Sequence, residues 1–442
     1  MLFRKIESVI RANLADPAAK ILMVDGARQV GKSFIIRHVG EEMFTNYVEI
    51  NLLEDSLGPR LFANVNTTSD LYLRLSMNHG DKMNTSADTL IFLDEIQTYP
   101  QMLSLLKFLR QEGRYRFIAS GALLGVTLAK TNSIPMGSIE VAHMYPLDFE
   151  EFLLANNFGK VAIDALRLKF EALEAVDQVV HNKVMDLFRK YLFVGGLPDA
   201  VNTFLSTGNV MKVRDVQSET HEYYGIDASK YDADHRLKIR RIYDMIPSAL
   251  ESKKKRIVAK SIENKEGARF SQYQDEFDYL ISSGIALNVD AISTPRFPLI
   301  ESEVKNLLKL YLNDVGILTD ILYRNNIRPI LEDIPSVNLG TVYENLVACE
   351  LKAHGFSLFY YDNKKKGEVD FLVDDYEHLS VLPLEIKSGK DYTVHSAIDT
   401  FTESEEYNIR RGIVFSNNRE VTVRGKIIHL PIYYVMFLSA NG

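Results

Sequence analysis

"VDGARQVGKS", Val24 to Ser33, decides how the rest of this chain is read. Two glycines stand five apart, and a lysine and a serine follow the second: G-x-x-x-x-G-K-S over Gly26, Gly31, Lys32 and Ser33. The "ILMV" before it reads as a short buried strand. The "FIIRHVG" after it carries apolar residues at helical spacing and is closed by Gly40. Strand, glycine loop and helix in that order make a phosphate cradle, because glycines let backbone amides curl around phosphate oxygens and a helix start adds partial positive charge. Lys32 is then placed to reach β- and γ-phosphates, and the Ser33 hydroxyl to join a magnesium shell. The expected nucleotide-binding stretch is Gly26, Ala27, Arg28, Gln29, Val30, Gly31, Lys32, Ser33 and Phe34.

Working outward, strand and helix patterns alternate from about Ile21 to Ile118. "NYVEINL" (Asn46 to Leu52) reads as a strand, "MLSLLKFLRQEG" (Met102 to Gly113) as a helix with a glycine stop, and "YRFIASGALL" (Tyr115 to Leu124) as another strand. Such alternation predicts a parallel sheet covered on both faces, with ligands at the carboxyl ends of its strands. "TLIFLDEIQ" (Thr89 to Gln97) is an apolar run ending in Asp94 and Glu95. Adjacent acids there suit magnesium held by Asp94, mostly through water, and an attacking water polarised by Glu95. Alone they read equally as a solvated loop start or a helix cap; the glycine loop upstream favours the catalytic sense. Ser120 ends the next strand, either touching the γ-phosphate and orienting the water or serving as a plain turn serine. The expected catalytic set is Glu95, Asp94, Lys32 and Ser120, with Ser33 and Asp94 on the metal. Arg114 and Arg116 precede that strand, where an arginine finger supplied in trans would reach a neighbour's nucleotide.

Composition bounds the rest. The 442 residues imply two or three domains, and 46% hydrophobic content supports sizeable cores. A single cysteine, Cys349, excludes an intramolecular disulfide or a cysteine-ligated metal cluster and suits a cytoplasmic protein. "MLFRKIESVI" is amphipathic, interrupted by Arg4, Lys5 and Glu7, so it is no signal peptide, and no apolar run is long enough to span a bilayer. A net charge of −8 argues against a whole-surface nucleic-acid binder while leaving local basic patches open. The ten histidines are scattered, with no H-x-x-x-H helix pair, and there is no G-x-S-x-G elbow.

Beyond "SIPMGSIEVAHMYPLDFEEFL" (Ser133 to Leu153) the pattern is largely helical to about Glu301. "YLFVGGLPDAV" supplies a sharp Gly-Gly turn, and "LESKKKRIVAKS" (Leu250 to Ser261) reads as a solvated basic helix face. In the tail, "GTVYENLVACELKAHG" is a helix, "FSLFYYD", "EVDFLV" and "SVLPLEIKSG" are strand-like, a helix-like stretch spans Ser396 to Tyr407, and "RGIVFSN" and "PIYYVMFL" finish an α-β-β-β-α-β-type order.

"GARQVGKS", "LIFLDEIQ", "IASGALL", "MYPLDFEEFL" and "YLFVGGLPDAV" together resemble a widespread bacterial and archaeal family of AAA+ ATPases. "LYLNDVGIL", "GTVYENLVACEL", "EVDFLV" and "LEIKSG" resemble the family's C-terminal domain of unassigned function, which has a restriction-endonuclease-like fold. The resemblance implies an α/β architecture: a P-loop NTPase core with a parallel sheet between helices (1–145), a helical and winged-helix-like middle region (146–300), and a restriction-endonuclease-like α/β domain (301–442). It implies ATP and Mg²⁺ as cofactors, with binding by Lys32 and Ser33 and hydrolysis through Asp94 and Glu95. DNA and a homo-oligomeric assembly are the partners it suggests, with no membrane insertion. Where the family usually has glycine followed by a basic residue before "YPL", this chain has Gly137-Ser138. If that residue acts in trans, fast intersubunit-stimulated hydrolysis is not implied here.

The restriction-endonuclease-like fold uses an Asp on one strand and Glu-x-Lys on the next, two acids for magnesium and a lysine to steady the attacking hydroxide. Here the matching residues are Asp370, Glu385 and Lys387, with Glu344 on the preceding helix completing a second metal site. Alternation on a strand turns Glu385 and Lys387 to one face. Glu-x-Lys occurs five times, starting at Glu251, Glu263, Glu303, Glu350 and Glu385, so context carries the assignment. Lys364, Lys365 and Lys366 beside Asp370 read as backbone-phosphate contacts or a lysine-rich hairpin tip. A cross-strand salt bridge, and a retained fold without activity, both remain open. So do three functions for the whole: an ATPase coupled to DNA processing or binding, an ATPase switch whose inactive tail mediates assembly or partner binding, and an ATP-binding regulator with negligible turnover.

Overall fold

The computed structural model describes residues 1–53, 61–83, 88–122, 137–228, 235–332, 334, 337–363, 367–388 and 397–440. These form two compact units: Arg4–Tyr145 with Ser282–Gly284, and Pro146–Ile281 with Ile285–Gly442 and the first three residues. Lys364, Lys365 and Lys366 lie outside the described residues.

In the first unit, five strands form one parallel sheet: β1 (Ile21–Asp25), β2 (Asn46–Asn51), β3 (Thr89–Asp94), β4 (Arg116–Gly121) and β5 (Ile139–His143), in the order β2-β3-β4-β1-β5. Helices α1 (Ile6–Ala15), α2 (Lys32–Met43), α3 (Thr68–His79) and α4 (Pro100–Glu112) belong to the same unit. β1 and β3 are buried along their whole length, which is why they read as unbroken apolar runs rather than alternating ones. Met23, Ile91, Leu93, Leu103, Leu106 and Phe117 share one core, each such side chain contributing roughly 1.5–3 kcal/mol. The alternating pattern predicts such a parallel sheet, and with the glycine loop after β1 it is the fold of a P-loop NTPase core, as the resemblance implies. One local expectation fails. Gly40 does not close α2, which runs on to Met43. A Cβ at Gly40 would come within 2.7 Å of the Tyr47 ring, so this glycine lets helix and strand approach. Gly113 is the expected stop, left-handed at φ 57 with its N–H donating to Leu109 O.

The second unit begins with helices Phe149–Ala155, Lys160–Glu171, Gln178–Val194, Pro198–Thr207, Val210–Ala228, Arg236–Leu250, Ala259–Glu263 and Gln274–Ser282. β6 (Ala286–Ile292) and β7 (Glu303–Leu312) then form an antiparallel hairpin. Three helices followed by a hairpin is the element order of a winged module. This hairpin, however, continues through β6 into the tail's sheet, and the division expected at 300/301 falls inside it. With β8 (Phe359–Asn363), β9 (Gly367–Asp375), β10 (Ser380–Lys387), β11 (Gly412–Ser416), β12 (Thr422–Arg424) and β13 (Ile427–Pro431), the mixed sheet runs β12-β13-β11-β10-β9-β8-β6-β7. Helix Gly340–Ala353 is buried around most of its circumference. "PIYYVMFL" is not a strand: Ile432–Phe437 is a buried 3₁₀ helix. No described helix is long and apolar enough to cross a membrane.

Candidate functional site

β1 delivers Asp25 and then a loop that only particular residues can build. Gly26 has φ 146, and a Cβ there would lie 2.2 Å from Met144 O, so no side chain fits. Gln29 (φ 63) and Gly31 (φ 97) are also left-handed, and Gly31 opens α2 without a side-chain cap among the described residues. That leaves the positive end of the helix to a ligand. Lys32 is buried, its Nζ donating to Gly26 O at 2.9 Å and Ala27 O at 2.8 Å. Burial pushes the ammonium pKa down, against the pull of the Glu95, Asp25 and Asp94 charges. An electrophilic cation held at the centre of a curled loop is what a triphosphate tail requires.

The acids meet the loop as the spacing predicts. Asp94 ends β3, almost fully buried, and both of its oxygens are engaged. Oδ2 accepts from Ser33 Oγ at 2.7 Å; Oδ1 accepts from Ser120 Oγ and from Glu95 N at 3.1 Å. The strand order explains this convergence, because β4 lies between β1 and β3 and its last turn of sequence brings Ser120 level with Val24. A carboxylate and a hydroxyl are hard oxygen donors, so the Asp94–Ser33 pair fits Mg²⁺. Glu95 itself is a left-handed non-glycine residue at φ 57. Its carboxylate accepts from Gln97 Nε2 and stands 3.8 Å from Arg28 Nη2. Phe34, the last residue of the expected stretch, is exposed in the first turn of α2.

Two features went unread in the sequence. Arg4 does not simply interrupt an amphipathic helix: it is buried, donating to Val30 O at 2.9 Å and Tyr145 O at 2.6 Å, which ties the loop to the segment after β5. His143 Nδ1 lies 3.1 Å from Asp25 Oδ2, and that hydrogen bond raises the imidazole pKa against the opposing effect of burial. Isolated arginine and histidine residues carry no periodicity that would reveal such pairings. The arginines read as a finger are engaged within their own chain. Arg116 spends its guanidinium on the backbone carbonyls of Asn13, Leu14, Asp16 and Pro17, capping α1, and Arg114 lies over the rings of Tyr72 and Tyr115. Both flank a cavity of about 410 Å³ at the amino ends of β1 and β4, the opposite end of the sheet from the glycine loop. Ser138 is also at that end, its carbonyl accepting from Ile21 N.

The tail residues are brought together as well. β9 and β10 pair so that Leu384 faces Phe371, and Asp370 Oδ2 accepts from Ile386 N at 2.8 Å. Burial, then the Glu344 charge, raises the Asp370 pKa; burial, then the Asp370 charge, raises that of Glu385. Lys387 Nζ is 2.6 Å from Glu385 Oε1, while Glu385 Oε2 is buried with no hydrogen-bond partner among the described residues. Glu344 pairs with Lys255 and accepts from Tyr311 OH at 3.1 Å. The orphaned oxygen and the carboxylate donors fit a hard cation. Among the described residues, the oxygens of all three acids do not gather within 4.8 Å of one another, so a single ion would take a subset of them.

The fold and this loop are those of a P-loop NTPase core, and the family described as an AAA domain matches residues 18–153. That family implies ATP binding. Two domains of unknown function match the rest, DUF8612 over residues 185–327 and DUF4143 over residues 339–435. No curated protein matches the chain. Among solved structures, the chain is similar to the Walker-type ATPase PABY2304 of Pyrococcus abyssi, at 14% identity over 72% of this chain and 95% of that one, with TM-score 0.43. It is similar to the Orc1 protein of Aeropyrum pernix in complex with DNA, at 12% identity over 76% and 93%, TM-score 0.33. The RuvB Holliday junction branch migration motor of Thermotoga maritima is 12% identical over 67% and 90%, TM-score 0.30.

Proposed function

We propose that the chain is a Mg²⁺-dependent ATPase of the AAA+ type, working as a homo-oligomer in the cytoplasm, whose turnover is coupled to DNA binding or processing by a restriction-endonuclease-like tail. The supporting observation is the convergence on Asp94 of Ser33, Ser120 and the Glu95 backbone at the carboxyl edge of a parallel sheet, beside the glycine loop. Lys32 gives up its two loop carbonyls to reach the β- and γ-phosphates. The loop amides and the α2 terminus hold the remaining oxygens. Mg²⁺, bound with ATP, would neutralise charge on the phosphates. Ser33 and Asp94 would hold it, Ser120 keeps Asp94 oriented, and Glu95 takes the proton of the attacking water. The domains in this reading are the ATPase core, 1–145, and one unit from 146 onward in which the helical region and the mixed sheet are joined through β6 and β7.

The test separates binding from turnover. Lys32→Ala is expected to lose ATP binding in calorimetry. Glu95→Gln is expected to keep it while turnover falls by roughly 10²–10⁴-fold. Wild-type hydrolysis by both variants would sink the assignment. DNA coupling is read from turnover with and without duplex DNA, beside solution mass measurement for assembly. The alternative, an inactive tail used for assembly, draws on the lysine pairs that already neutralise its acids, Lys387–Glu385, Lys255–Glu344 and Lys309–Glu368. ATP turnover without any DNA affinity would favour it.

A further inference from the structure

The run "LESKKKRIVAKS" is not a helix face over residues 251–258. Lys253 and Lys254 are exposed, but Lys255 and Arg256 turn inward. Lys255 adopts left-handed backbone at φ 50, at the end of a turn in which its N–H donates to Ser252 O at 3.1 Å. A lysine there costs on the order of 1 kcal/mol against ordinary helical backbone, so contacts of the side chain must offset it. Those contacts are ionic. The ammonium pairs with Glu344 Oε1, and Arg256 beside it pairs with Asp362 at the end of β8. Burial disfavours the Lys255 ammonium, yet the Glu344, Asp370 and Glu368 charges outweigh it and hold its pKa above the usual value.

Charge counting shows what the ammonium does among these acids. Glu344, Glu368, Asp370 and Glu385 carry four negative charges when ionised. Lys255, Lys309 and Lys387 supply three positive ones, leaving a net charge of one negative. A divalent cation added to that set would leave an excess positive charge in a buried site, which is unfavourable. With Lys255 withdrawn the set carries two negative charges, matching a divalent ion. Glu344 also cannot offer an oxygen freely while one accepts from Tyr311 and the other is paired with the lysine.

We infer that Lys255 stands in the place of a divalent cation beside Glu344 and Asp370, and that the turn carrying it is a built-in plug which must withdraw before the tail's acid cluster takes up metal. This rests on the reading of that cluster as a hard-cation site. Such a plug keeps the tail unloaded in the free protein and links its loading to movement of the helical region that precedes Lys255.

The experiment titrates Mn²⁺ calorimetrically into the nucleotide-free full chain, as wild type and as Lys255→Met, each with and without Asp370→Asn. Removing one like charge at contact distance is expected to tighten Asp370-dependent Mn²⁺ uptake at least about tenfold in Lys255→Met. Lys255→Gln, which keeps a hydrogen bond to Glu344, serves as the second variant should Lys255→Met not fold. Equal Asp370-dependent uptake in wild type and variant, or weaker uptake in the variant, would overturn the plug and leave the cluster reading standing. No Asp370-dependent uptake in any form would overturn the cluster reading, and the plug with it.

Discussion

Asp94 illustrates how much a single residue integrates. Its identity followed from an apolar run that stops in acids, and its partners follow from strand order. Ser120, a residue that a turn would explain as well, gains a role only because β4 is the strand between β1 and β3. The same scale holds contacts that the sequence did not foretell. Arg116, read as a finger from its place before a strand, donates to helix carbonyls of its own chain. Gly26 makes the sharpest prediction here. With Met144 O 2.2 Å from where a Cβ would go, and with φ at 146, Gly26→Ala is expected to cost about 1–3 kcal/mol of stability through overpacking. It should weaken ATP binding in step. Urea denaturation and calorimetry check both, and a variant indistinguishable from wild type would refute the close approach.

Elements join through residues that sequence motifs group only loosely. The Gly-Gly turn links helices Gln178–Val194 and Pro198–Thr207, and a Cβ at Gly196 would fall 2.1 Å from Leu147 O. Asp314, from the separate "LYLND" motif, accepts from Gly196 N at 2.6 Å and caps helix Val315–Tyr323 through Ile317 N at 3.0 Å. Burial pushes the Asp314 carboxyl up to about 6 against those backbone donors, so this junction is costly to charge and worse to vacate. Asp314→Ala leaves two buried N–H groups without their acceptor and is expected to destabilise by about 2–4 kcal/mol. Asp314→Asn, retaining one acceptor oxygen, should lose less. Denaturant midpoints for the two variants decide the matter: equal losses would mean that the retained acceptor contributes nothing.

For the chain as a whole, the tail's acids set a pH dependence. Asp370 and Glu385 have pKa values raised in the folded state by burial, so folded protein holds protons that unfolded chain releases above the ordinary carboxylate values of 3.8 and 4.5. More protons bound when folded means stability falls as pH rises through that range, the reverse of the usual salt-bridged carboxylate. Their contribution is largest below about pH 4 and lost as pH climbs past the raised values. Urea midpoints measured from pH 4 to 8 should show a downward component that Asp370→Asn with Glu385→Gln removes; an unchanged slope would contradict burial of the pair.

The parallel sheet, the glycine loop and the two acids after β3 were readable along the chain, because each rests on local chemistry: apolar periodicity, left-handed backbone, and acids where a buried strand ends. The tail's Asp370, Glu385 and Lys387 were readable only through their strand context, since four other Glu-x-Lys copies have the same letters. What no local pattern carries is long-range pairing. Arg4 beneath the loop, His143 against Asp25, the β6–β7 hairpin joined to the tail's sheet and Lys255 among the acids each bring together residues distant in sequence. A hydrogen bond or ion pair depends on position to within an ångström, and that position is set by packing of the whole chain.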